Sequence, residues 1–443
     1  MDTSLQMMRP PEALPSIGYW HRRWVSAVHR IWTTLALLSL AFQGLAAQTT
    51  LLRLKTVATQ AGLHQHDIRT DDGGTSQQQL ELSLRGQWQQ QWQGVEGLIA
   101  LEANSAWGEG LGRRMAGVLS AGSSANDQPN AFDLATGLSS GSEHTITARI
   151  DRLAVGYHAG SWSIRAGRDA ISWGNGLVFN PLDLFSPFAP AQTDRDFKKG
   201  QDMILVQKLF TDGSDLQLLA VARRDADGHR SADSGSIGAK WRWQFRSAEI
   251  NLLTGRHDRD IVGGIGFSVP VSDAVLRLDL LATQLEDDQW GQRLRYTSIL
   301  NVDYSFLALE HNVYVFGELY FNGFGMNDMP VAFSEISEPL QVRLQRGELF
   351  TVGRRYAAVG GNLQWSARLT QSALWLQSLD DGSRLLQTTL QFEPDDNQSL
   401  EAGITWGSGK RGHEFDGLRL FPAASSPTLG GGLQLYVRWI VYL

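Results

Sequence analysis

The chain has 443 residues, no cysteine, a formal net charge of −7 and only 19 % charged residues. The absence of cysteine excludes a disulfide framework and a thiolate metal site, and an acidic balance without a basic stripe argues against a nucleic-acid partner. Charge this sparse lies below the share usual in soluble proteins, while 46 glycines and 15 tryptophans mark the rest of the composition.

In chain order, the first expected element is an export signal. "HRRWVSAVHR" (21–30) is basic, "IWTTLALLSLAF" (31–42) is an apolar run, and Gly44-Leu45-Ala46 supplies small residues at a cleavage site. The run is too short to span a bilayer as a helix. The expected organisation is a signal peptide over 1–46 followed by one domain over 47–443. No later apolar run is long enough for a transmembrane helix.

From 51 onward, apolar and polar residues alternate in segments on the order of ten residues, the scale of barrel strands. "LLRLKTVATQAGLH" (51–64) alternates weakly. Residues 79–88 set Leu80, Leu82, Leu84 and Trp88 against Gln79, Glu81, Ser83 and Arg85. Residues 237–245 set Ile237, Trp241, Trp243 and Phe245 against Lys240, Arg242 and Gln244. Residues 274–282 set Leu276, Leu278 and Leu280 against Arg277 and Asp279. The last strand, "LQLYVRWIVYL" (433–443), alternates strictly. Short connections (89–92, 158–161, 211–214, 246–248, 270–273, 308–311, 366–369, 394–397) alternate with mostly long ones (106–143, 172–200, 225–233, 257–260, 285–292, 323–350, 380–382, 409–428). This is the pattern of tight periplasmic turns and external loops. The expectation is an all-β fold: a single transmembrane antiparallel barrel of about eighteen strands, or sixteen if the hairpin at 51–64 is misread. Tryptophans near strand ends fit interfacial girdles. By this facing Leu278 meets lipid and Asp279 the lumen, so arginine is expected to be tolerated only at 279.

The stretch "ISWGNGLVFNPLDLFSPFAP" (171–190) breaks the pattern. It is apolar, yet glycines and prolines exclude a long helix or strand. The preceding strand turns Arg165 and Asp169 to the lumen. Gly174 and Gly176 are expected to take positive φ, and Asn180-Pro181 to start one short helical turn. Left in external water, this surface would cost roughly 25 cal/mol per Å². The loop is therefore expected to fold into the barrel mouth as a constriction; the alternative is a rim loop resting on lipid or a neighbouring barrel. Its candidate residues are Trp173, Asn180 and Asp183 on the loop, and Arg149, Asp151, Arg165 and Asp169 on the wall. Arg195, Lys198 and Lys199 follow, as an expected anion contact.

Gly167-Arg168, Ser172-Trp173-Gly174, Gly176, Asn180-Pro181, Asp183-Leu184 and Pro187-Phe188 carry a resemblance. The segment resembles the loop signature of an uncharacterised, porin-like family of Gram-negative outer-membrane barrels, with Ser186 where that pattern has Asn. The resemblance implies an outer-membrane channel and leaves the solute open. A barrel of this kind implies contact with outer-membrane lipid and lipopolysaccharide, and assembly by the barrel-assembly machinery. The leading expectation is a channel for a polar or amphiphilic solute. The other is a non-conducting barrel that docks an envelope export system. No Ser, His and Asp stand at a recognisable catalytic spacing, so no enzyme is expected, nor any cofactor or metal. The acidic "RTDDGG" (69–74) could hold a divalent ion between lipopolysaccharides.

Overall fold

The computed structural model describes residues 49–64, 67–68, 75–108, 127, 129–185, 197–225, 227–286, 293–329, 331–423 and 425–443. The expected signal peptide, the acidic loop 69–74 and Arg195 lie outside the described residues.

Eighteen strands form the wall. They are β1 (Thr49–Gly62), β2 (Ser76–Trp92), β3 (Val95–Gly108), β5 (His144–Ala159), β6 (Trp162–Asp169), β7 (Gln201–Leu209), β8 (Asp215–Val221), β9 (Ser236–Phe245) and β10 (Ala248–His257). They continue with β11 (Asp260–Val271), β12 (Ala274–Gln284), β13 (Leu294–Ala308), β14 (His311–Phe321), β15 (Arg355–Ser366), β16 (Leu369–Ser378), β17 (Arg384–Asp395), β18 (Gln398–Ser408) and β21 (Gly432–Tyr442). Each pairs antiparallel with the next. β21 then pairs with β1, from Arg53↔Tyr442 to Gly62↔Leu433, and the sheet closes. The weakly alternating 51–64 segment is thus a true strand, and the count is eighteen rather than sixteen.

Three shorter strands lie outside this count. β4 (Ala135–Ser140) pairs with the upper part of β5, from Ala135↔Arg149 to Ser140↔Thr145. It takes the place beside β5 that β6 vacates, since β6 pairs only as far up as Leu153↔Arg168. β19 (Leu418–Arg419) and β20 (Thr428–Leu429) form a small external hairpin.

The facing follows the alternation. Leu276, Leu278 and Leu280 are 36–42 % exposed on the outside, and Asp279 between them is 0 % exposed inside. The tight turns at one end of the barrel take the φ that a two-residue geometry demands: Arg246, Ser272, Leu309 and Glu310 are all at positive φ. Such φ values match the right-handed twist of the flanking strands in a two-residue hairpin.

Charge on the lipid face is expected to cost more than charge inside. Leu278→Arg should lower the urea midpoint of lipid-refolded protein by the equivalent of roughly 2–4 kcal/mol. Gln391→Lys, on the inner face among Glu393, Asp395 and Glu401, should refold like wild type. Equal losses would mean that the strand facing is wrong by one residue.

Candidate functional site

After Asp169 the chain leaves the wall and turns into the lumen. The apolar loop is buried there: Ile171, Trp173, Leu182 and Phe185 pack with Leu219 and Val221 of β8, Leu253 of β10, Val262 of β11 and Leu281 of β12. The wall is hollowed to receive them. A Cβ on Gly238 would sit 3.3 Å from the Trp173 ring, and one on Gly264 would sit 2.6 Å from Leu182. The Trp173 indole Nε1–H donates to Gln217 Oε1 at 2.7 Å, so the ring is buried without an unpaired donor.

Two wall carboxylates hold the loop backbone. Asp279 accepts from the Asn175 backbone N–H at 2.7 Å and from its side-chain Nδ2 at 2.9 Å. Glu318 accepts from three successive backbone N–H groups, Leu177 (2.8 Å), Val178 (3.2 Å) and Phe179 (2.8 Å), and from Asn301 Nδ2 at 3.1 Å. Charge-assisted bonds of this kind are among the stronger ones. The expectation that Asp279 is freely replaceable is therefore corrected: it faces inward, but it is an anchor rather than a free lumenal group.

The local geometry corrects two further expectations. Asn180-Pro181-Leu182-Asp183 is a β-turn closed by the Asp183 N–H on the Asn180 carbonyl at 3.1 Å, not a helical turn. The Asn180 side chain does not cap it; its Nδ2 donates to the Trp173 carbonyl at 2.9 Å. Gly174 takes φ +91°, as expected. Gly176 does not need positive φ; a Cβ there would lie 1.7 Å from the Phe179 carbonyl oxygen.

The loop crosses the whole lumen. At its tip Phe179 stacks on Tyr320 of β14 (4.1 Å between centroids) and lies 5.7 Å from the Tyr356 ring of β15. Counted around the wall, β6 is the fifth strand and β15 the fourteenth, so the tip touches the side opposite its origin. On the return arm Phe197 lies under the guanidinium groups of Arg53 (4.8 Å) and Arg85 (4.3 Å).

Four predicted wall residues come together in one ladder. Arg149 pairs with Glu102, and Asp151 pairs with Arg85 at 2.5 Å and Arg152 at 2.8 Å. Arg152 reaches Asp169 at 3.2 Å, and Arg165 joins Asp169 (2.6 Å) to Glu96 (3.0 Å). The guanidiniums of Arg85, Arg149, Arg152 and Arg165 balance the carboxylates of Glu96, Glu102, Asp151 and Asp169. A bulge opposite Ala100 and Leu101 lets both Asp151 and Arg152 point into buried surroundings. Arg152 also donates to the Lys198 carbonyl at 2.5 Å and so ties the ladder to the return arm. Sequence reading missed Arg152; two adjacent charges inside an alternating strand were its signal.

The expected anion contact is corrected in part. Lys198 is paired with Asp183, clasping the two arms of the loop, and Lys199 is half-buried beside it. Burial pushes the Asp183 carboxyl up, against the pull of Lys198. Arg168, the arginine of the signature, joins Asp202, Asp127 and the Phe132 carbonyl. It locks the segment next to β4 against the wall where β6 ends. Arg168, Trp173, Asn180 and Asp183 of the signature thus all serve docking.

Above the loop, the long connection after β14 carries an unpredicted helix, α1 (Glu338–Arg346), which ends at Gly347 with φ +69°. Leu340 and Leu344 bury with Phe324, Phe333, Ile336 and Leu418. His257, Asp258 and Glu348 cluster beneath it with metal-ligand spacing. The cluster does not suit a cation. Arg346 lies 2.7 Å from Asp258, and Arg343 and Arg346 lie 4.0 and 3.7 Å from Glu348. His257 and these arginines pull the Glu348 carboxyl down to about 2. A cavity of ≈ 60 Å³ remains between this external layer and the loop tip, lined by Phe179, Pro181, Thr283 and Phe350 among others.

The closed, even-stranded antiparallel wall with an apolar exterior defines the class: a transmembrane β-barrel of the bacterial outer-membrane type. No protein-family model and no curated protein sequence matches the chain. Solved structures match in fold. Pseudomonas aeruginosa OccK2 (OpdF) is 10 % identical, with 90 % of this chain and 99 % of that one covered and a TM-score of 0.50. P. aeruginosa OpdK with vanillate is 11 % identical, with 89 % and 98 % covered and a TM-score of 0.50. Escherichia coli Wzi, a carbohydrate-binding β-barrel involved in group 1 capsule assembly, is 10 % identical, with 92 % and 87 % covered and a TM-score of 0.50.

Removing one anchor is expected to free the loop but not the wall. Glu318→Ala leaves the N–H group of buried Phe179 without its acceptor, at about 1–3 kcal/mol, and releases the N–H groups of Leu177 and Val178 as well. Limited proteolysis of the refolded variant should cut within 172–185, where wild type resists, and heat-modifiability on gels should be unchanged.

Proposed function

We propose that the protein is a porin-like channel of the outer membrane, and that the loop 172–200 constricts its passage for a polar or amphiphilic solute. The supporting observation is the inward loop that runs from β6 to the opposite wall and divides the lumen. Its apolar face fills the half lined by β8–β12. The other half keeps a polar inner face: Gln387 opposite Thr405, Thr405 opposite Gln434, and Gln391 opposite Glu401. There Arg438 pairs with Glu401. The charged ladder is balanced, so the constriction residues Arg149, Asp151, Arg165 and Asp169 act in this reading by shaping the passage. Trp173, Asn180, Asp183 and Lys198 hold the loop across it, Lys199 belongs to its return arm, and Arg195 keeps its proposed role as an anion contact. Export by the 1–46 signal and insertion by the barrel-assembly machinery, among lipid and lipopolysaccharide, are part of the same reading. The porin-like barrel family whose loop signature the chain resembles supports it.

A second reading is favoured by how fully the loop crosses the lumen, and by the likeness to Wzi. It is a non-conducting barrel that docks or assists an envelope export system. Planar-bilayer recording separates the two. Deleting 176–190 from a channel should raise single-channel conductance while the barrel still assembles. A wild-type barrel that never conducts favours the docking reading, and a deletion with unchanged conductance defeats the constriction.

A further inference from the structure

On its outer face, the wall from β15 to β21 carries cations above an apolar belt. Val359, Trp375, Leu386, Trp406 and Leu433 stand opposite one another, strand to strand, as one exposed row. Tryptophans in such a row suit the boundary between hydrocarbon and water. One pleat nearer the long connections, about 7 Å along the strands, Gln377, Arg384 and Ser408 are aligned. One pleat further, Arg355 lies beside Leu379, whose N–H donates to the Arg355 carbonyl at 2.8 Å. Lys410 follows two residues beyond Ser408. Arg355, Arg384 and Lys410 are all exposed. The connection from β16 to β17, residues 379–383, is too short to cover them.

We infer that Arg355, Arg384 and Lys410 form a docking site for the phosphate groups of an outer-leaflet glycolipid of the lipopolysaccharide type. The inference rests on the outer-membrane class of the barrel and holds whether or not the barrel conducts. The first argument is that one cation is fixed in place. Asp380, only 1 % exposed behind Arg355, accepts from the Arg354 and Arg355 backbone N–H groups at 2.6 and 2.7 Å and from Arg355 Nε at 2.8 Å. The Arg355 side chain stays 60 % exposed, so a held guanidinium is presented outward, and such a group suits a bidentate phosphate. The second argument is missing compensation. Arg384 and Lys410 make no ion pair among the described residues. The neighbouring carboxylates are engaged elsewhere: Asp381 with the Glu414 N–H and Ser383, Asp416 with His64, and Glu414 with the Tyr356 hydroxyl. The other short connection at this end, between β10 and β11, is a contrast. There Arg256 pairs with Asp233 at 2.6 Å and Arg259 approaches Glu286 at 3.9 Å, so its cations are matched at the surface. The third argument is the order of the two layers. A neutral lipid would use only the belt and a free phosphate only the cations, whereas a phosphorylated lipid meets both.

The test uses the refolded full-length barrel in non-ionic detergent, with fluorescent bisphosphorylated lipid A as the probe. Wild type should bind it at least about tenfold more tightly than the same lipid stripped of its phosphates. Arg384→Gln with Lys410→Gln should abolish that preference, whereas Arg256→Gln with Arg259→Gln should keep it. Since Arg384 and Lys410 have no ion pair to lose, heat-modifiability of their variant on gels should match wild type. Added salt should weaken binding to wild type and leave the residual binding of the variant nearly unchanged. Millimolar inorganic phosphate should leave the lipid in place. Equal binding of the two lipids by wild type overturns the site, and this comparison needs no variant. An undiminished preference in Arg384→Gln with Lys410→Gln overturns it too. Displacement by inorganic phosphate would make the patch a site for free phosphate and would defeat the lipid assignment.

Discussion

The pairing of β21 with β1 is the constraint on which the rest depends. In hydrocarbon every backbone donor and acceptor needs a partner within the protein, so a sheet must close on itself. Closure from Arg53↔Tyr442 to Gly62↔Leu433 removes the last open edges of the wall. Once the sheet is a cylinder, alternation turns one set of side chains to lipid and the other to the lumen. No conventional core remains: the residues that would form one, such as Leu278, Trp241 and Val437, are exposed on the outside. Order inside the cylinder must come from loops.

This explains why the inner wall is not uniformly polar. Leu219, Val221, Leu253, Val262 and Leu281 face inward because an apolar loop lies on them. The wall glycines Gly238, Gly264 and Gly266 are part of the same arrangement. They remove side chains where Trp173, Leu182 and Asn175 approach. The loop cannot satisfy its own backbone there, having neither helix nor strand, and Asp279 and Glu318 accept the N–H groups it brings. Leaving the wall has a second consequence. β6 and β7 stop early, and the gap beside β5 is filled by β4 from the preceding loop, pinned through Arg168.

How much of this was legible follows from period and length. Strands such as 79–88 and 274–282 could be read because one face meets lipid along their whole length, which forces strict alternation. The inward fold of 172–200 could be read from its apolar content in a place reserved for an external loop. β4 could not: "ATGLSS" has no alternation, because it pairs on one side only and its residues are largely exposed. α1 carried local signals in Pro339, the Leu340 and Leu344 spacing and Gly347, but they sat in a segment read only by its length as a loop. Asp279 and Glu318 could be placed in the lumen but not assigned a partner. Their partners are backbone N–H groups more than a hundred residues away, and backbone groups leave no trace in composition.

The choice of anchor bears on what the passage can do. Had the loop been held by its own cations on wall carboxylates, freeing it would expose charge of both signs to the lumen. Here the wall supplies the acceptors and the loop supplies only neutral donors, backbone N–H groups and the Asn175 side-chain amide. A displaced loop would therefore add no cation, and would bare two carboxylates on β12 and β14. The ladder across β2, β3, β5 and β6 is balanced and rigidly paired, so it contributes shape more than net field. The docked loop covers Asp279 and Glu318 and takes up their acceptor oxygens. The half of the inner wall that the loop leaves uncovered presents amides and hydroxyls such as Gln387, Thr405 and Gln434 beside the Arg438–Glu401 pair. If the loop constricts a passage as proposed, its position and the charge that passage meets change together.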